Sequence, residues 1–208
     1  MRIEIFGLPG VGKTYILSTL VERHPEMMPY FLKYRLSSSW RERGTDISYF
    51  ARHPRLLFAI AFEPQRAELI LRFKRVARRR AHIARCDNCI LDDSGTIQPL
   101  LEAYILSRGP MMRADWESLF RDAVMGHCYF FISDSVENAV KREINRPARR
   151  FRLGEEELKV KYSKCKGLLD RIKRDMDIHE FRVADYGSTA ELADNMHKVM
   201  SRVLRRLQ

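Results

Sequence analysis

The sequence predicts an α/β fold in which a parallel β-sheet lies between layers of helices. Short apolar segments alternate with longer helical ones along the chain, which is typical of a parallel sheet covered on both faces. The first apolar segment leads directly into a glycine-rich loop, and a helical stretch follows that loop. The 208 residues, of which 45% are hydrophobic, are enough for a single domain over residues 1–208 with a substantial core.

Five short segments are predicted to be strands because they are mostly apolar and are bounded by turn residues. The clearest two are Cys89–Leu91 and Cys128–Ile132, which are apolar throughout. In chain order, the predicted strands are residues 2–6, 30–36, 89–91, 128–132 and 181–184.

The segments between these strands are predicted to be helices from their periodicity and their end signals. Asp134 and Glu137 have the spacing of an N-cap and its partner, and Ser188 and Glu191 form a capping box. The predicted helices are residues 15–23, 54–62, 64–85, 97–107 and 115–124, a helix after Asp134 that ends before Pro147, residues 158–176, and a last helix from 188.

The loop after the first strand, Gly7–Thr14, fits the pattern G-x-x-x-x-G-K-[ST] of a phosphate-binding P-loop. Glycines let successive backbone N–H groups turn toward a phosphate, and the helix that begins at Lys13 adds its positive dipole end. We expect the Lys13 ammonium to reach the β- and γ-phosphates of ATP, and the Thr14 hydroxyl to ligate Mg²⁺. The residues expected to contact the nucleotide are Gly7, Pro9, Gly10, Val11, Gly12, Lys13, Thr14 and Tyr15.

Two carboxylates follow the third predicted strand. An acidic residue at the end of a buried strand can hold the Mg²⁺ shell, and we assign this role to Asp92. Asp93 is the candidate general base toward an acceptor hydroxyl, although it can equally cap the turn before Ile97. Because successive side chains in a strand point in different directions, Asp92 and Asp93 cannot both be assumed to face the same site.

A third group of candidate residues is a set of arginines in a predicted lid segment over residues 142–155. Arg142 and Arg146 lie four residues apart on one helix face before Pro147. Arg149 and Arg150 follow and are candidate nucleotide contacts. Guanidinium groups match phosphate oxygens in a bidentate manner, so these arginines are expected to stabilise the transferred phosphoryl group; otherwise they form an ordinary basic surface helix.

Composition narrows the partners of the protein. The net charge of +11 favours anionic partners, and the Arg78–Arg80 cluster makes nucleic acid one of them.

Of the four cysteines only Cys86 and Cys89 are paired in a C-x-x-C, and the six histidines show no ligand spacing, so we expect no zinc or redox site. The first strand begins at residue 2 and no apolar run reaches 18 residues, so we expect a cytoplasmic protein without a signal peptide or transmembrane helix.

Together these blocks resemble the nucleoside and nucleotide monophosphate kinases, and thymidylate kinases most of all. The likeness is carried by four blocks: Gly7–Thr14; residues 56–59 with the long helix after them and then residues 90–93; residues 131–146; and residues 183–192. It implies a three-layer P-loop α/β/α fold with a five-stranded sheet of order 2-3-1-4-5, a short lid, and ATP as phosphoryl donor. Asp93 stands where thymidylate kinases carry Arg, and residues 37–40 match no acceptor signature, so the resemblance leaves the acceptor open. A homodimer is a further open partner, since the sequence does not fix the oligomeric state.

Three functions compete on this basis. The first is an ATP-dependent small-molecule kinase whose acceptor carries a hydroxyl or phosphate and enters beside Ser37–Arg43 and Asp93. The second is a kinase acting on a nucleic-acid 5′ end or a lipid-linked sugar, favoured by the basic clusters. The third is a P-loop ATPase or switch that is not a kinase. The chain contains neither the N/T-K-x-D motif of GTPases nor the L-S-G-G-Q signature of ABC-type ATPases.

Overall fold

The computed structural model describes residues 2–31, 40–84, 89–91, 95–108, 111, 115–123, 128–147, 151–173, 176 and 178–205. These residues belong to two compact units, which we describe separately. The sheet unit comprises Met1–Leu32, Asp87–Asp93 and Gly126–Gln208, and the helical unit comprises Lys33–Cys86 and Ser94–Met125.

The sheet unit is built on parallel strands. Within the described residues these are β1 (Arg2–Gly7), β2 (Cys89–Leu91), β3 (Cys128–Ser133) and β4 (Ile178–Arg182), in the order β2-β1-β3-β4. Central strand β3 is buried along its whole length, as expected for a parallel strand covered on both faces. In the predicted numbering, β1, β2, β3 and β4 are strands 1, 3, 4 and 5, so the observed order agrees with the last four positions of the predicted order 2-3-1-4-5. The predicted strand 30–36 lies mostly outside the described residues, and Phe31 makes an isolated parallel bridge to Ile90.

Strand β4 differs from its prediction. It begins at Ile178 rather than at residue 181, and Val183–Asp185 forms a 3₁₀ turn instead of continuing the strand. Its first residues include His179 and Glu180 and are only half-buried, because β4 lies at the end of the strand order with β3 on one side. Hydropathy does not mark such an edge segment as a strand.

The helices of the sheet unit are α1 (Lys13–Arg23), α7 (Val136–Ile144), α8 (Glu155–Ile172) and α9 (Thr189–Arg205), with a 3₁₀ helix at Pro25–Tyr30. The N-cap of α7 is Ser135 and not Asp134, since the Ser135 hydroxyl accepts the N–H of Asn138 at 3.0 Å. Helix α8 begins at Glu155, three residues before the predicted start, because glutamates favour a first turn without adding to an apolar stripe. The predicted cap of α9 is confirmed by the bond from the Glu191 N–H to the Ser188 hydroxyl, 3.1 Å long.

The helical unit contains α2 (Trp40–Arg52), α3 (Pro54–Ala61), α4 (Arg66–Ile83), α5 (Ile97–Leu106) and α6 (Trp116–Ala123). Every residue of α5 is buried, so this helix forms the core of the unit. Arg72 of α4 pairs with Glu102 of α5 at 3.0 Å, and both side chains are largely buried. In the described part of the chain, no helix combines the length and apolar character needed to cross a membrane.

Candidate functional site

The loop between β1 and α1 has the backbone conformation of a phosphate cradle. Gly10 and Gly12 have φ angles of +89° and +86°, a region that residues with a Cβ rarely adopt. Gly12 is the N-cap of α1, and no side chain caps that helix end within the described residues. The first turn of α1 also contains no acidic residue. The positive end of the helix is therefore available to an anion.

Two glycines are required because other backbone segments pass close to them. A Cβ at Gly7 would lie 2.5 Å from the carbonyl oxygen of Ile132 in β3. A Cβ at Gly10 would meet the carbonyl oxygen of Ala139 in α7 well inside the 3.0 Å that real Cβ atoms respect. The loop is therefore pressed against β3 on one side and α7 on the other.

The predicted phosphate contact, Lys13, and the predicted Mg²⁺ ligand, Thr14, lie where this loop becomes a helix. Lys13 and Thr14 are the first two residues of α1. The Lys13 side chain is only 8% exposed, whereas Thr14 is exposed. Tyr15 is 68% exposed, so its ring extends toward solvent. Pro9 and Val11, which are also predicted to contact the nucleotide, lie in the same loop before Lys13.

Of the predicted lid arginines within the described residues, Arg142 is the one with a hydrogen bond to the loop. Its Nη1 donates to Oδ2 of Asp134 at 2.6 Å and to the carbonyl oxygen of Gly10 at 3.4 Å. Asp134 is held in turn, since its Oδ1 accepts the N–H of Ser135 at 2.7 Å and the amide of Asn138 at 3.1 Å. The sequence pattern predicts Asp134 only as a helix cap. Asp134 directly follows β3, and β3 pairs with β1, so its place in the sequence could have shown that it lies close to the loop after β1.

Arg146, the other predicted arginine among the described residues, pairs with a different carboxylate. Helix α7 ends at Ile144, so Arg146 lies beyond it and not on the same helix as predicted. Its Nη1 is 3.5 Å from a carboxylate oxygen of the buried Glu143, which holds the side chain near its own helix end. Four predicted site residues, Asp92, Asp93, Arg149 and Arg150, lie outside the described residues.

The Arg78–Arg80 cluster is used for contacts within the helical unit. Arg78 forms a bidentate pair with Asp46, in which its Nη2 is 2.6 Å from a carboxylate oxygen. Arg79 donates to the carbonyl oxygen of Gly95 at 2.9 Å. Arg80 pairs with the carboxylate of Asp122. Because these guanidinium groups are mostly buried against their partners, the cluster is not an open basic patch for nucleic acid.

A cavity of about 640 Å³ lies between α2, α4 and α6 of the helical unit. Its polar lining includes Tyr49, Arg52, His53, Arg80 and Asp122. His53 Nε2 is 3.3 Å from the Asp122 carboxylate that also pairs with Arg80. The cavity has the size of a small-molecule site, but no residue of the P-loop lines it.

Three solved structures of deoxyadenosine kinase from M. mycoides are similar to this chain. The one with the products dCMP and a flexible dCDP bound has a TM-score of 0.61 at 12% identity, covering 98% of this chain and 100% of that chain. The one with bound dATP has a TM-score of 0.55 at 13% identity, covering 96% and 99%. The one with bound dCTP has a TM-score of 0.50 at 15% identity, covering 97% and 100%.

No family model matches the sequence, and no curated protein matches it either. At identities of 12–15% the structural likeness concerns the fold, over nearly the whole length of both chains. The specific likeness to thymidylate kinases is not shown. The chain therefore has an α/β fold similar to that of P-loop nucleoside kinases.

Proposed function

We propose that this protein is an ATP-dependent kinase that transfers the γ-phosphate to a small molecule. The observation that carries the proposal is the glycine cradle between β1 and α1, with Arg142 held beside it by Asp134. A cradle of backbone N–H groups alone would suit any P-loop protein. An arginine aligned on the same loop adds a group that stabilises charge during phosphoryl transfer.

The chain's own residues divide the work around the nucleotide. The loop amides and the N-terminus of α1 bind the β- and γ-phosphates, and Lys13 adds a positive charge. Thr14 and Asp92 would hold Mg²⁺, and the exposed position of Thr14 at the start of α1 fits a metal ligand. When bound, Mg²⁺ neutralises charge on the phosphate oxygens.

Arg142 is the residue best arranged to act on the transferred group. Its side chain is 46% exposed, and its guanidinium is oriented by Asp134, whose side chain is largely buried. A guanidinium has five N–H donors, so one edge can stay on Asp134 while another meets phosphate. Asp134 is thus a positioning residue for Arg142. Asp93 remains the proposed general base.

The small-molecule acceptor is favoured over a polymer because the basic Arg78–Arg80 cluster is engaged inside the helical unit. The deoxyadenosine kinase structures hold nucleotides, which makes nucleosides and nucleoside monophosphates the first acceptors to test. Simple sugars and a 5′-hydroxyl oligonucleotide complete the panel. We also propose that the chain is a single domain with strand order 2-3-1-4-5, in which the predicted strand 30–36 is the second strand in chain order and pairs beside β2, as the bridge between Phe31 and Ile90 indicates.

The test is phosphate transfer from γ-labelled ATP with Mg²⁺ across this panel. Lys13→Ala should abolish labelled product while leaving the far-ultraviolet circular dichroism spectrum unchanged. Lys159→Ala is the matched control, because Lys159 is a surface lysine paired with Glu155 and Glu156 on α8. Transfer that survives in Lys13→Ala would overturn the assignment, and ATP hydrolysis without any labelled acceptor would favour the ATPase alternative.

A further inference from the structure

A second cluster of chemically active side chains lies in the sheet unit, at the opposite end of α1 from the P-loop. His24 follows the last residue of α1, and its backbone N–H donates to the carbonyl oxygen of Leu20 at 2.9 Å. Glu26 lies in the 3₁₀ helix that follows, and His197 lies in α9. One ligand atom from each of these three side chains lies within 4.8 Å of the other two.

The donor atoms converge on the Glu26 carboxylate. Its Oε1 is 3.6 Å from His24 Nδ1 and 3.1 Å from His197 Nε2. In a tetrahedral zinc site with bonds of 2.0–2.1 Å, neighbouring ligand atoms lie about 3.3 Å apart. Two of the three spacings therefore already bracket the value that a zinc ion requires. The third pair of ligand atoms, one from each imidazole, lies within 4.8 Å, and the two rings are stacked 3.8 Å apart and nearly parallel.

The other nitrogen of His24 is already oriented. Its Nε2 is 2.8 Å from Oδ1 of Asp194, and Asp194 is fixed by two hydrogen bonds from Arg23, 2.8 and 2.7 Å long. A carboxylate on the far nitrogen of a histidine sets the tautomer that directs the near nitrogen to a metal. Asp194 therefore leaves Nδ1 of His24 as the atom that faces Glu26.

Neutral imidazole is the form of histidine that binds a metal. The Ser201 hydroxyl lies 3.1 Å from His197 Nε2, so an ion at this nitrogen would replace that hydrogen bond. The site offers two imidazoles and one carboxylate, a ligand set suited to zinc and related transition metals.

We propose that His24, Glu26 and His197 bind a divalent transition-metal ion, with Zn²⁺ as the representative, and that the ion links the C-terminal end of α1 to α9. The exposed Glu26 leaves a coordination position open to water. Sequence spacing did not indicate the site because His24 and His197 lie near opposite ends of the chain. The ion would stabilise the fold at the end of α1 away from the phosphate cradle, so the proposal goes beyond kinase chemistry.

The test is Zn²⁺ titration of the metal-free, nucleotide-free full chain at neutral pH, followed by calorimetry and by metal analysis after gel filtration. We expect one retained equivalent and a raised melting temperature. His197→Ala and Glu26→Gln should lose the retained ion, and Asp194→Asn should weaken binding by about 10- to 100-fold. Glu22→Gln, an exposed carboxylate in the last turn of α1, is the matched control and should bind like the parent chain.

The C-x-x-C pair Cys86 and Cys89 is the competing zinc ligand set. The Cys86→Ser, Cys89→Ser double variant should retain the ion, and Co²⁺ substitution should give a spectrum without thiolate charge-transfer bands. Failure to retain Zn²⁺, unchanged retention in His197→Ala, or loss in the cysteine variant would each overturn the proposal. Because the readout is binding without nucleotide, this result is independent of whether the chain proves to be a kinase.

Discussion

Replacing Gly10 by alanine tests whether the phosphate loop depends on close contact with α7. Gly10 and Gly12 share a left-handed backbone, with φ of +89° and +86°, but only Gly10 is crowded. An added Cβ at Gly10 would collide with the carbonyl oxygen of Ala139, whereas nothing lies within 4 Å of one at Gly12. The pair therefore separates backbone strain from steric exclusion.

The expected magnitudes follow from these two terms. A left-handed conformation costs a non-glycine residue about 1–2 kcal/mol, which applies to both variants. Overpacking against a rigid group adds about 1–3 kcal/mol, and it applies to Gly10→Ala alone because a backbone carbonyl in a helix cannot rotate away. We expect Gly10→Ala to lower the unfolding free energy by about 2–5 kcal/mol and Gly12→Ala by about 1–2 kcal/mol.

The same collision has a consequence for the site. Relief of the contact would move α7 away from the loop, and Arg142 would then lose its 3.4 Å approach to the Gly10 carbonyl oxygen. Urea unfolding of both variants gives the stability difference, and calorimetric titration with ATP gives the loss of binding. Equal destabilisation by the two substitutions would refute the argument, because it would mean that α7 does not press on the loop.

Three further predictions concern single side chains. Arg142→Ala should slow phosphoryl transfer by about 100-fold or more, and Arg142→Lys should restore little, because lysine lacks the planar fork that spans Asp134 and phosphate. Tyr49→Phe should raise the unfolding free energy by about 1 kcal/mol, because the buried Tyr49 hydroxyl has no hydrogen-bond partner among the described residues. Burial of the Glu180 carboxylate raises its pKa, but hydrogen bonds from Lys173 and Ser133 outweigh burial and lower the pKa below its usual value. The charged Glu180 therefore stabilises the fold at neutral pH, and this stabilisation is lost as the pH falls through the lowered pKa.

Each of these predictions has a contradicting result. Arg171→Ala on the surface of α8 is the control for charge, and equal rates in it and in Arg142→Ala would remove Arg142 from the mechanism. A less stable Tyr49→Phe protein would mean that the hydroxyl is bonded, for instance to a molecule in the neighbouring cavity. Unfolding free energies measured from neutral to acidic pH should fall less steeply in Glu180→Gln, and identical slopes would show that Glu180 does not contribute.

Much of the sheet and its phosphate loop could be predicted from the sequence because both depend on local chemistry. Buried parallel strands are continuous apolar runs, so β2 was predicted with its bounds, and β3 with its first residue. Glycine spacing with Lys13 and Thr14 identifies the loop, because few residues tolerate its backbone angles. Edge strand β4 begins three residues before its predicted start at residue 181, because its first, half-buried residues carry no clear hydropathy signal.

The sequence by itself determined the loop between β1 and α1, because the glycines that allow its torsions and the start of the helix are neighbours in the chain. Only the tertiary structure decided which charged side chain meets that loop: Asp134 orients Arg142 toward it, while Arg146 stays with Glu143. The pairing of distant side chains depends on how helices and strands pack, and linear spacing does not encode it. For the same reason, only the folded chain brings the two histidines at the far end of α1 together.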